Sequence, residues 1–121
     1  MPVSAVLVDD HELFRGGLRT VLEDHGVRVV GEASDGEHGV DVVAELVPDV
    51  AVMDLNMPGI GGVEATRQIV SRTPSTRVLV MTIAVDEDLI ATALDAGACG
   101  YVIKDASIDE IATAVRAAAL G

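Results

Sequence analysis

Val50-Ala51-Val52-Met53 runs without a polar side chain and stops at Asp54. A stretch that is apolar throughout, rather than alternating, reads as a strand buried on both faces of a parallel sheet. Similar runs stand on either side of it: Val3–Val8 and Val27–Ala33 before, Val78–Ile83 and Cys99–Ile103 after. Between them lie helix-length segments with apolar residues three and four apart. The last is the clearest, with Ile108, Ile111, Ala112, Val115 and Ala119 on one face, and Ser107 and Glu110 form a capping-box pattern at its start. Gly26 and Gly97 stand where the first and fourth helices should stop. Pro48 and Pro74 precede the third and fourth strands, where a helix cannot continue. Gly16 and Gly17 weaken the first helix by about 1 kcal/mol each relative to alanine. Five strand–helix units in strict alternation predict a doubly wound α/β fold. Its sheet is parallel, its crossovers are right-handed, and helices cover both faces.

Composition narrows the function. The chain has 121 residues, with 8 basic against 20 acidic, a formal charge of -12. That length predicts a single domain spanning residues 1–121. A surface this acidic repels phosphate backbones and anionic lipid, so neither nucleic acid nor membrane is expected as a partner of this domain. One cysteine, Cys99, excludes a disulfide framework and a multi-cysteine metal site. Half of the residues are hydrophobic, yet no apolar run approaches the ~18 residues of a transmembrane helix. Asp9, Asp10 and Glu12 interrupt the N-terminus where a signal peptide would be apolar. A cytoplasmic protein is expected. With only Phe14 and Tyr101 as aromatic residues, stacking sites for bases, flavins or sugars are not expected.

In a parallel sheet all carboxyl ends share one rim, and ligands bind there. The predicted strands end on Asp9-Asp10, on Asp54, at Thr82 and at Lys104, the only lysine. Alone, an Asp after a strand caps a helix or turns the chain, Thr82 is an ordinary strand residue, and Lys104 is a solvated charge. Together they are harder to explain blandly, because three neighbouring carboxylates repel and raise one another's pKa. Such a cluster calls for a divalent cation or a cationic partner, and ligands that are all oxygen favour magnesium over zinc. Magnesium, an ammonium and a hydroxyl suit phosphoryl transfer, and a carboxylate left over could act as nucleophile. Asp54, alone at the end of a central strand, is the natural candidate. Spacing by itself leaves open which Asp attacks.

Four stretches carry a resemblance to a known family. They are Val6-Leu7-Val8-Asp9-Asp10-His11, Val52-Met53-Asp54-Leu55-Asn56-Met57-Pro58-Gly59, Val80-Met81-Thr82, and Ala96-Gly97-Ala98-Cys99-Gly100-Tyr101-Val102-Ile103-Lys104-Asp105-Ala106-Ser107. In order and over essentially the whole chain, they resemble the response-regulator receiver domain of two-component signalling. The Asp-Asp-His opening and the stretch from Gly100 to Ser107 resemble the NarL/FixJ branch, whose receivers precede a LuxR-type helix-turn-helix. The resemblance implies a CheY-like, flavodoxin-like (βα)5 fold with strand order 2-1-3-4-5.

It also implies roles. Asp54 would be the phosphoacceptor, and Lys104 and Thr82 would bond the phosphoryl group. Magnesium would be held by Asp10 directly, Asp9 through water, Asp54, and the backbone carbonyl of Asn56. Thr82 and Tyr101 would form the switch, and no organic cofactor is implied. The donor would be a phosphohistidine on a sensor histidine kinase, or a small acyl phosphate. A homodimer would form on phosphorylation, and the output would be transcription through a DNA-binding domain outside this chain. Such a chain catalyses only its own phosphorylation and dephosphorylation.

Three residues depart from the family pattern. Ile83 stands where a small residue usually follows the switch threonine, and it is expected to narrow access to the phosphoryl site. Gly61 replaces a common Asp or Asn, costing the third helix a side-chain cap worth roughly a few tenths of a kcal/mol. Asp105 replaces the usual proline after the lysine, often reached through a cis bond, whereas a cis bond before a non-proline costs about 2.5–4 kcal/mol.

Other features read plainly. His11 starts a helix, His25 and His38 are polar surface residues, and Cys99 is a small core residue without a basic neighbour. Gly59, Gly61 and Gly62 lack the Gly-Lys-Ser/Thr of a nucleotide loop. Asp86-Glu87-Asp88 suits the first turn of the fourth helix. Two other functions compete. An aspartyl-phosphate phosphatase would need a second Asp where Asn56 stands. A phosphate-independent receiver, acting only through protein contacts, has Ile83 in its favour.

Overall fold

A computed structural model describes residues 2–121. In chain order the elements are β1 Val3–Val8, α1 Glu12–Asp24, β2 Val27–Ala33, α2 Gly36–Leu46 and β3 Val50–Asp54. Then come α3 Gly61–Arg72, β4 Arg77–Thr82, α4 Glu87–Asp95, β5 Gly100–Ile103 and α5 Ile108–Ala119. The five strands pair in parallel in the order β2-β1-β3-β4-β5, as expected.

The unbroken apolar runs have a direct structural reason. Alternate residues of β1, β3 and β4 enter different cores. Ala5, Leu7, Val50, Val52, Leu79 and Met81 pack with Leu18 and Leu22 of α1 and with Ile111, Ala112 and Val115 of α5. Val6, Val8, Ala51, Met53, Val78 and Val80 pack against Val40 and Val43 of α2, Ala65 and Ile69 of α3, and Ala93 of α4. The sheet is therefore covered on both faces, and only its rims are open.

Helix boundaries follow local chemistry. Ser107 accepts a hydrogen bond from Glu110 N at 3.1 Å, one half of the expected capping box. Asp35 and Asp86 cap α2 and α4 through His38 N and Leu89 N. Helix α3 has no side-chain cap, but its N-cap is Ile60 and Gly61, where the missing cap was expected, is its first residue. Gly26 and Gly97 follow α1 and α4 with φ of 81° and 116°, the left-handed region that favours glycine. Helix α1 runs unbroken through Gly16 and Gly17. No helix among the described residues is long and apolar enough to cross a membrane.

The expectation for Cys99 is corrected. Strand β5 begins at Gly100, and Cys99 is exposed at the edge of the sheet rather than buried in a core. It lines a cleft of about 400 Å³ with Arg77, Leu79, Tyr101 and Ala118, away from the rim that carries the acidic residues. A basic neighbour is present after all: partial desolvation pushes the thiol pKa up, and the Arg77 guanidinium pulls against it. The apolar pattern overran because β5 is an edge strand, with a neighbour on one side only. The run at β4 likewise ends one residue early, leaving Ile83 outside the strand and exposed.

Candidate functional site

Strand register gathers the acidic residues. Val8 pairs with Met53, so the next positions, Asp9 and Asp54, lie level on adjacent strands. Both continue the alternation that points Leu7 and Val52 toward α1 and α5, so both carboxylates emerge on that face. Lys104 follows Val102 in the same alternation and reaches them from β5. Carboxylate oxygens of Asp9, Asp10 and Asp54 all lie within 4.8 Å of one another. Asp9 and Asp54 are buried at 1% exposure each, whereas Asp10 faces solvent.

Each buried carboxylate is held at one oxygen. Asp9 Oδ1 accepts from His11 N at 2.8 Å, and Asp54 Oδ1 accepts from Asn56 N at 2.9 Å. The second oxygens meet Lys104: its Nζ lies 2.8 Å from Asp9 Oδ2 and 3.3 Å from Asp54 Oδ2. The contact to Asp54 is a hydrogen bond. That to Asp9 is an ion pair without hydrogen-bond geometry, and Asp9 Oδ2 is buried with no hydrogen-bond partner. Burial pushes the Asp54 carboxyl above its ordinary pKa, aided by the Asp9 charge and opposed by the Asn56 N–H and Lys104.

A divalent cation fits these residues. The donors are all oxygen, and three carboxylates meet there with Lys104 as the one cation paired to Asp9 and Asp54. One ammonium leaves the cluster with a net negative charge.

Thr82 belongs to the other face. Its alternation follows Val78 and Val80 toward α4, and its hydroxyl donates to Ala84 O at 3.1 Å rather than to any carboxylate. Tyr101 is 47% exposed and points outward. Asn56 joins the β3–α3 loop to the β4–α4 loop, its Oδ1 accepting from Ile83 N at 3.1 Å. The loop after Asp54 folds tightly because Gly62 has no side chain: a Cβ there would meet the Asp54 carbonyl oxygen and come within 2.8 Å of Leu55 Cα. Lys104 and Asp105 are joined by a trans bond, as are all the described residues.

Four residues about the site escaped sequence reading. Lys104 Nζ lies 4.5 Å from the centroid of the Phe14 ring, a cation–π contact worth roughly 1–2 kcal/mol in a partly desolvated setting. Arg15 donates to the backbone carbonyl of Asp9 and, through Nε, to Glu32 Oε1 at 2.8 Å. Arg19 also binds Glu32. Phe14 was detectable, since Phe14, Leu18 and Leu22 are four apart and share the buried face of α1. The Arg15–Glu32 pair spans 17 residues and has no local signature.

A doubly wound parallel sheet with a carboxylate cluster and a lysine at its carboxyl rim defines a class of α/β protein with a cation and phosphoryl site at the strand ends. The profile of the response regulator receiver domain matches residues 5–116, and the chain belongs to that family. The response regulator UvrY of Escherichia coli K12 is 45% identical over 115 residues, which cover 94% of this chain and 53% of UvrY. The transcriptional regulatory protein LiaR of Bacillus subtilis is 43% identical, over 98% of this chain and 57% of LiaR. The chain thus spans about half the length of these relatives. A LuxR-family two-component response regulator from Aurantimonas superposes with a TM-score of 0.94 at 38% identity, covering 100% of this chain and 87% of that one. The response regulator domain of Thermotoga maritima CheB gives 0.91 at 28%, covering 100% and 98%. The NarL/FixJ placement and the CheY-like fold therefore stand.

Proposed function

We propose that this chain is a phosphorylatable switch in which Asp54 accepts a phosphoryl group from a phosphohistidine of a sensor kinase, or from a small acyl phosphate. The observation that carries the reading is the meeting of Asp9, Asp10, Asp54 and Lys104 at one rim. Asp9, Asp10, Asp54 and the Asn56 carbonyl would hold magnesium. When bound, the ion neutralises charge on the phosphoryl oxygens.

The chain's own residues do the rest. The Asn56 N–H fixes Asp54 Oδ1, which leaves the carboxylate one orientation from which to attack phosphorus. An oxygen–phosphorus bond forms as the phosphorus–nitrogen bond to the donor imidazole breaks, and the electron pair leaves with that nitrogen. Lys104 Nζ, already bridging two carboxylates, turns a donor toward the incoming phosphoryl oxygens. The added charge, about -1.5 to -2, draws the Thr82 hydroxyl from Ala84 O, and Tyr101 moves inward to fill the space it leaves. Transcriptional output through a LuxR-type helix-turn-helix, and a homodimer formed on phosphorylation, complete the proposal. Residues 1–121 act as the receiver of that longer arrangement.

Incubation with magnesium and acetyl phosphate tests the reading by intact mass. One phosphoryl adduct is expected in the wild type and none in Asp54→Asn. An unmodified wild type points instead to a module that acts through protein contacts alone.

A further inference from the structure

Asp10 is the most exposed member of the carboxylate cluster. Among the described residues its carboxylate makes no hydrogen bond or ion pair, so the backbone at Asp9-Asp10 sets where it points. That backbone is gripped from two sides. Asp9 N donates to Ala33 O of β2 at 3.0 Å, and Asp9 O accepts from the Arg15 guanidinium. Arg15 is itself fixed: its side chain is only 14% exposed, and its Nε is tied to Glu32 Oε1 at 2.8 Å. Glu32 is shared with Arg19 on the next turn of α1.

We propose that Arg15, braced by Glu32, is a positioning residue for the cation site: it clamps the Asp9-Asp10 peptide so that the Asp10 carboxylate meets those of Asp9 and Asp54. The proposal rests on the magnesium reading given above. The clamp opposes what charge alone would do. A guanidinium near a cation site repels the cation, so losing Arg15 should tighten magnesium binding on electrostatic grounds. Losing the clamp should weaken it, as removal of outer-shell partners of metal ligands does.

Calorimetric titration of the full chain with magnesium chloride separates the two. Arg15→Gln is expected to raise the magnesium Kd about tenfold, while Arg19→Gln, which removes a charge from the same Glu32 without touching Asp9, leaves it unchanged or lowers it. Arg15→Met keeps the aliphatic stem and serves if Arg15→Gln fails to fold. Binding by Arg15→Gln or Arg15→Met as tight as wild type, or tighter, overturns the clamp while leaving the metal site intact. Wild type that binds no magnesium, or Asp10→Asn that binds it equally well, overturns the metal site and the clamp together.

Discussion

Two residues at the rim have opposite demands on size. Gly62 must be small, because its backbone lies against the end of β3 and a Cβ would press on the Asp54 carbonyl and Leu55 Cα, neither of which can rotate away. Gly62→Ala is expected to destabilise the fold by about 1–3 kcal/mol, the range for overpacking, measured by urea denaturation. It should also slow phosphoryl transfer, since the displaced backbone carries Asp54. Ile83 is the reverse case. Its backbone N–H is fixed on Asn56, and its bulky side chain stands exposed beside Thr82. Ile83→Ala is expected to speed both phosphorylation and loss of the adduct, followed by intact mass against time. Equal rates would remove Ile83 as a barrier to the phosphoryl site.

Between elements, the chief electrostatic tie runs from α1 to β2. Burial pushes the Glu32 carboxyl up, but hydrogen bonds from Arg19 and then Arg15 outweigh it, so its pKa lies below the ordinary 4.5. A carboxyl depressed in the folded state stabilises fully above 4.5 and loses that contribution as pH falls through the folded value. Thermal melts of Glu32→Gln should therefore decline less steeply than wild type below pH ~4.5, the two curves running parallel above it. This tie also marks the limit of sequence reading. Strands β1, β3 and β4 were legible because apolar runs without alternation mean burial on both faces, whereas the edge strands β2 and β5 are only partly buried. The rim residues were legible because a parallel sheet brings the ends of β1, β3 and β5 together. What joins α1 to β2 depends on which helix turn faces which strand, and no spacing along the chain encodes that. Cys99 failed for a related reason: an apolar run does not say which strand lies at the edge.

Over the whole molecule, the two faces of the sheet divide the work. Asp9, Asp54 and Lys104 project on the α1/α5 face, while Thr82 turns to the α4 face with its hydroxyl on Ala84 O. Of the 20 acidic residues against 8 basic, three carboxylates gather at the rim. The central claim is that Asp54 is the residue modified, and chemical trapping tests it most directly. Hydride reduces an aspartyl acyl phosphate to the alcohol, so borohydride treatment of the magnesium and acetyl phosphate reaction should convert residue 54 to homoserine. Peptide mass mapping is expected to find that change at position 54 and nowhere else. Homoserine at Asp9 or Asp10, or an adduct that survives in Asp54→Asn, would contradict the account.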